Sequence, residues 1–279
     1  ARQSLPPSLL FAGPDGIGKR LVAVATAQAL NCVAKDKTPD DACGVCAACT
    51  RIARGVHPDV PIVEPGDSGS IKIEQIRDVV DRAGYRPFEG RRRVVIIDEA
   101  DAMAPAAQSP LLKMLEEPPP SSVFILVTAR PDMLLPTVRS RCPRLRFRPL
   151  DAAEVAGALV RAGRVEADAR AIASTADGSL SRALDISAGD VAGTREVAAR
   201  VLTLAAASSD PRARIEAAKE LLGTGGAAGR EDLAGELRAM ASLVRDVELL
   251  SVRGAPAHEA QAALANPDAL PALERLSAY

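Results

Sequence analysis

The stretch LLFAGPDGIGKRLVAVATAQAL, residues 9–30, decides the fold. Leu9 to Gly13 reads as a short apolar strand, and residues 19–30 read as a helix. The loop between them carries glycines at 13, 16 and 18. Its spacing follows G-x-x-x-x-G-K-[ST] at Gly13, Gly18 and Lys19, a pattern in which backbone N–H groups cradle phosphates and the lysine neutralises them. Arg20 stands where a Mg²⁺-holding hydroxyl is expected.

A glycine loop alone is weak evidence, but RVVIIDEAD (93–101) adds to it. Four consecutive β-branched residues ending in acids describe a buried strand with carboxylates at its C-terminal edge. In an active phosphate-loop enzyme Asp98 would position Mg²⁺ and Glu99 would orient the attacking water. Further strands are expected at VPIVEP (60–65), SVFILVTA (122–129) and, at an edge, RLRFRPL (144–150). Helices are expected at 71–84 and 105–120, the latter stopped by prolines. This alternation predicts an α/β P-loop domain with a parallel sheet and flanking helices over residues 1–150.

After Leu150 the strand signal ends. DAAEVAGALVRAG (151–163) opens with Asp151 and Glu154 at capping-box spacing and closes on glycine. Ala/Leu/Arg-rich helices follow, with breaks expected at 176–180, 188–193, 208–211 and a flexible GTGGAAGR at 223–230.

Cys32, Cys43, Cys46 and Cys49 form C-x10-C-x2-C-x2-C, enough thiolates to close a tetrahedral structural Zn²⁺ site. Such a metal would pin a polar segment too short to fold alone. Disulfides and free thiols are the rival readings, and a cytoplasmic setting favours zinc. Cys142 lies outside the cluster and reads as a buried thiol.

With 35 basic and 36 acidic residues the chain has no bulk positive field, so any nucleic-acid contact must be local or made through partners. The run Arg91 to Arg93 reads as a solvated loop before a buried strand. No apolar run reaches the ~20 residues that span a bilayer, and no signal-peptide order opens the chain, so a soluble cytoplasmic protein is expected. A short segment before Ala1 is also expected, because the first strand begins so soon.

The zinc cysteines after the P-loop helix, IDEAD (97–101), LLKMLEEPP (111–119), LVTARPDMLLPTVRSRC (126–142) and FRPL (147–150) together resemble bacterial clamp-loader subunits of the AAA+ class. The resemblance is close over about residues 5–190 and reaches the remainder only as a helical collar. It implies a zinc module at 32–49, a helical lid at 151–190 and an all-α collar at 191–279 that serves oligomerisation. It also implies that Ser140-Arg141-Cys142 is the family's SRC motif, whose arginine points in trans at the nucleotide of a neighbouring subunit. Thr128 matches the position that orders a phosphate-bound water. In the ATP-hydrolysing gamma/tau branch a lid arginine faces the nucleotide; here Ser181 takes that place and Arg182 follows, turned away by about 100° on a helix.

Arg20 and Ser181 favour the delta prime branch, while intact Asp98 and Glu99 favour gamma/tau. Two conformations remain open for Arg20: reaching Asp98 in place of the metal's charge, or pointing to solvent with ATP still bound weakly. The resemblance implies a mainly non-hydrolysing stator in a hetero-pentamer with gamma/tau and delta subunits. That complex loads the sliding clamp on primed-template DNA in replication. Autonomous ATPase activity is not expected on this reading, and ATP/Mg²⁺ binding is in doubt. The alternative is an ATP-hydrolysing gamma/tau-type subunit.

Overall fold

The computed structural model describes residues 5–34, 41–186, 188–208, 210–219, 227–253, 264 and 270–277. The chain divides into two compact units, Ala1–Pro149 and Leu150–Tyr279.

The first unit is built on strands β1 (Ser8–Ala12), β2 (Ile62–Val63), β3 (Arg93–Ile97), β4 (Ser122–Thr128) and β5 (Arg144–Arg146). They pair in the order β2-β3-β4-β1-β5, with every neighbouring pair parallel. Its helices are α1 (Lys19–Asn31), α2 (Ala47–Ala53), α3 (Ile73–Ala83), α4 (Pro105–Glu116) and the single turn α5 (Pro136–Arg139). Alternation along the strands feeds two cores. Val95, Ile97, Phe124 and Leu126 face α3 and α4 through Ile76, Val79, Leu111 and Leu115. Val94, Ile96, Ile125 and Val127 pack with Ala23 and Ala27 of α1 and Ile52 of α2. A sheet covered on both faces needs near-continuous apolar strands; β3 and β4 are buried at every position and carry polar residues only at their ends, at Arg93, Ser122 and Thr128.

Several expected boundaries contract for local reasons. β2 keeps only two of the six residues expected, because Pro61 and Pro65 bracket it and cannot donate to a ladder. α4 ends at Glu116, since Glu117 precedes Pro118 and takes φ −126°, ψ 69°. Arg93 corrects the reading of Arg91 to Arg93 as one solvated loop: Arg91 and Arg92 are exposed, but Arg93 begins β3 and is buried.

The second unit holds α6 (Ala152–Arg161), α7 (Glu166–Thr175), α8 (Leu180–Asp185), α9 (Ala188–Ala207), α10 (Pro211–Lys219), α11 (Ala227–Arg253) and α12 (Leu270–Ser277). The capping box at Asp151 and Glu154 forms, with Asp151 N donating to Glu154 Oε2 at 2.8 Å. One apolar cluster joins α6, α7 and α8 through Val155, Leu159, Ile172 and Ala183. Another joins α9, α11 and α12 through Ala198, Leu243 and Leu273. The break expected at 188–193 is absent: α9 runs through Gly189 and Gly193, because packing of its later turns outweighs the ~1 kcal/mol that each glycine costs a helix. The flexible segment expected at 223–230 lies outside the described residues up to 226, and α11 begins at Ala227. Among the described residues no helix is long and apolar enough to cross a membrane.

Candidate nucleotide pocket and metal centre

Parallel strands deliver the ends of β1, β3 and β4 to one edge of the sheet, which is where Gly13, Asp98 and Thr128 lie. Ala12 pairs with Thr128, and Gly13 N donates to Thr128 O at 3.3 Å. Gly13 has to be glycine: a Cβ there would lie 2.3 Å from the Phe147 carbonyl oxygen. Gly16 and Gly18 turn the loop at φ 73° and 91°, a left-handed region that disfavours other residues.

Lys19 is buried, and its Nζ donates to the carbonyls of Gly13 at 2.8 Å and Pro14 at 2.5 Å. Asp15 Oδ1 stands 3.7 Å from the same ammonium. The lysine is thus drawn across its own loop.

Arg20 points back into the site. Its Nη1 lies 3.2 Å from Asp98 Oδ2 and also pairs with Glu64, which follows β2. Asp98 Oδ1 accepts from Glu99 N at 3.0 Å, so both Asp98 oxygens have protein partners. Glu99 takes φ 46°, ψ 48°, a conformation that a non-glycine residue holds only when its surroundings impose it. Here Ala102 N donates to Glu99 O at 2.7 Å and the side chain stays exposed.

Thr128 is buried with its hydroxyl engaged: Oγ1 donates to Asp101 Oδ1 at 2.7 Å and accepts from Arg130 N at 3.0 Å. Burial pushes the Asp101 carboxyl up, but the Thr128 and Arg130 hydrogen bonds outweigh it and leave the group below its ordinary value. Arg182 donates to Ala176 O at 3.0 Å within its own unit.

Arg141 sits on the turn between α5 and β5. Its Nη2 meets Glu116 Oε1 at 2.5 Å, and its Nη1 donates to Thr137 O at 2.9 Å. Ser140 Oγ donates to Thr137 O at 3.1 Å. Cys142 is buried in the α3/α4 core, and that burial pushes its thiol up to about 12, so it packs as an inert neutral group.

The four other cysteines converge. Their sulfurs lie within 4.8 Å of one another, with Cys43 Sγ and Cys49 Sγ 4.0 Å apart, close to the ~3.8 Å edge of a zinc–thiolate tetrahedron. Backbone N–H groups support the sulfurs: Cys43 N to Cys32 Sγ at 3.5 Å, Cys46 N to Cys43 Sγ at 3.3 Å, and Cys49 N to Cys46 Sγ at 3.5 Å. The Cys49 N–H pulls the Cys46 thiol down to about 6, and the Cys43 N–H lowers Cys32; burial pushes Cys49 up to about 12. All five cysteines are free, and this soft, closed donor set fits one Zn²⁺ with no position left for a substrate. Gln28 Nε2 donates to Cys49 O at 2.9 Å and ties the cluster to α1.

Sequence reasoning missed the acids that face these arginines: Glu64, Asp101 and Glu116. It also missed Asp59, which is fully buried. The Asp59 carboxylate accepts from Phe88 N at 2.7 Å, Glu89 N and Gly90 N at 2.8 Å, and Arg93 Nη2 at 2.9 Å. Burial pushes this acid up, but the three amides and the guanidinium prevail and hold it at about 2. The cluster anchors residues 88–90, the loop that leads into β3.

A family model described as DNA polymerase III, delta subunit, matches residues 1–151. The delta' subunit of DNA polymerase III from Pseudomonas aeruginosa is 41% identical over 134 residues, covering 48% of this chain and 40% of that protein. The Bacillus subtilis delta' subunit is 37% identical over 149 residues, 53% of this chain and 44% of that protein. The gamma/tau subunit of DNA polymerase III from Mycobacterium tuberculosis is 40% identical over 141 residues, 50% of this chain and 24% of that protein. The chain thus spans less than half the length of each of these relatives.

Proposed function

Because the chain belongs to the DNA polymerase III delta-subunit family, we propose that it is a clamp-loader subunit of the delta prime kind, a stator that hydrolyses little or no ATP itself. The observation that carries this reading is Arg20 on Asp98 and Glu64. Asp98 is the carboxylate that would hold Mg²⁺ beside a nucleotide, where the ion would supply positive charge against the phosphates. A guanidinium already supplies positive charge to that carboxylate, and the hydroxyl ligand is missing. The engagement of Thr128 with Asp101 adds to the same reading.

The stator acts on its neighbour through Arg141. That side chain is one-third exposed at the end of a rigid turn, suited to reach a nucleotide held by an adjacent gamma/tau-type subunit. The cysteine cluster serves as a structural zinc site. The helices after Leu150 supply a lid and a collar that join the chain to gamma/tau and delta subunits, and the assembled complex acts on sliding clamp and primed DNA.

A gamma/tau-type ATPase is the second reading, favoured by intact Lys19, Asp98 and Glu99 and by the match to the Mycobacterium protein. Rebuilding the loader with Arg141→Ala tests the trans role. A finger of this kind gives about 10³ to 10⁵ in rate, so the neighbouring site should fall silent while assembly persists. Unchanged DNA-stimulated ATP turnover would rule the role out.

A further inference from the structure

We infer that Glu116 is a positioning residue for Arg141, holding its guanidinium ready for the neighbouring site; this rests on the trans role proposed above. Arg141 Nη2 meets Glu116 Oε1 at 2.5 Å, while Nη1 donates to Thr137 O at 2.9 Å and lies 3.4 Å from Ser140 Oγ. A guanidinium has five N–H donors in a rigid plane. These contacts employ three and leave the Nε–H and the second Nη2–H, among the described residues, for an acceptor outside the chain.

The backbone beneath is equally fixed. Val138 and Cys142 on either side are buried in the core, Arg141 N donates to Val138 O at 3.1 Å, and Leu10 of β1 donates to Pro143 O at 3.0 Å. With main chain and side chain both held, a long arginine does not have to be ordered at the moment of reaction.

The placement of Glu116 supports a role beyond stability. It is the last residue of α4, where the helix dipole disfavours a carboxylate. The pair it makes is also one-third to one-half exposed, a setting in which an ion pair contributes little to folding. An acid against the local rule, aimed at a single arginine, points to the arginine's task.

The test uses the assembled loader carrying Arg141→Ala, Glu116→Ala or Glu116→Gln, with kcat and KM for ATP and the yield of intact complex measured for each. The turnover removed by Arg141→Ala defines the share that this chain contributes. Glu116→Ala should remove at least half of that share with KM within twofold of wild type, and Glu116→Gln, which keeps the accepting oxygen, should restore it. If Arg141→Ala removes turnover and Glu116→Ala removes none, the positioning role is overturned while the trans role stands. Loss in both Glu116 variants alike, or a loss confined to complex yield, also overturns it, because either result describes a structural or charge effect. If Arg141→Ala removes nothing, the trans role fails and this inference with it.

Discussion

Replacing Asp59 by Asn leaves the shape of the side chain nearly unchanged and removes its charge. The carboxylate is fully buried and spends one oxygen on Phe88 N and Arg93 Nη2 and the other on Glu89 N and Gly90 N. An amide nitrogen in either place faces N–H donors, so two donors lose their acceptor whichever way the new side chain is turned. Arg93 would also be left buried without its counter-charge. Breaking one side of a buried pair costs about 3–5 kcal/mol. For a unit of this size ~4 kcal/mol corresponds to a fall in Tm of roughly 8–16 °C. The same residue gives a pH signature. Its folded value of about 2 lies below the 3.8 of the free group, so the stabilisation is complete above pH 3.8 and is lost as pH falls towards 2. The amount is about 2 kcal/mol. Thermal and urea unfolding followed by circular dichroism between pH 2 and pH 7 would measure both effects. A loss below 1 kcal/mol at pH 7, or an Asp59→Asn variant with the same loss of stability between pH 4 and pH 2 as wild type, would refute this assignment.

Zinc should be present at one ion per chain by atomic emission, and Cys46→Ser or chelation at neutral pH should release it and lower Tm, whereas Cys142→Ser should leave the metal content unchanged. Gly13→Ala should destabilise the first unit by about 1–3 kcal/mol in urea titration, since its new methyl group would lie against the Phe147 carbonyl; an effect within about 0.3 kcal/mol would show that the loop shifts freely.

The sheet was legible because β3 and β4 are apolar runs of strand length, and a parallel sheet covered on both faces demands such runs. The edge strands were less so: β2 is two residues held between prolines, and β5 keeps three exposed residues of the seven expected. The glycine loop and the cysteine spacing are local chemistry that a sequence displays directly. The partners of the arginines are not. Glu64 meets Arg20 only because β2 lies beside β3, and Glu116 meets Arg141 only because α4 and α5 pack together. Two signals were nonetheless present. Glu64 follows the apolar run of its strand candidate as Asp98 does, and Glu116 is an acid at a helix end that favours bases. The break expected at 188–193 is absent for the opposite reason: two glycines are a local signal, and the tertiary packing that keeps α9 whole is not.

On the function proposed above, Arg20 closes the nucleotide site of this chain. Equilibrium binding of ATP, with and without Mg²⁺, to the native chain and to Arg20→Ser tests it most directly. The native chain should show no Mg²⁺-dependent binding, and the Ser variant should recover it. Tight Mg²⁺-dependent binding by the native chain would contradict that closure and return the protein to the ATPase reading.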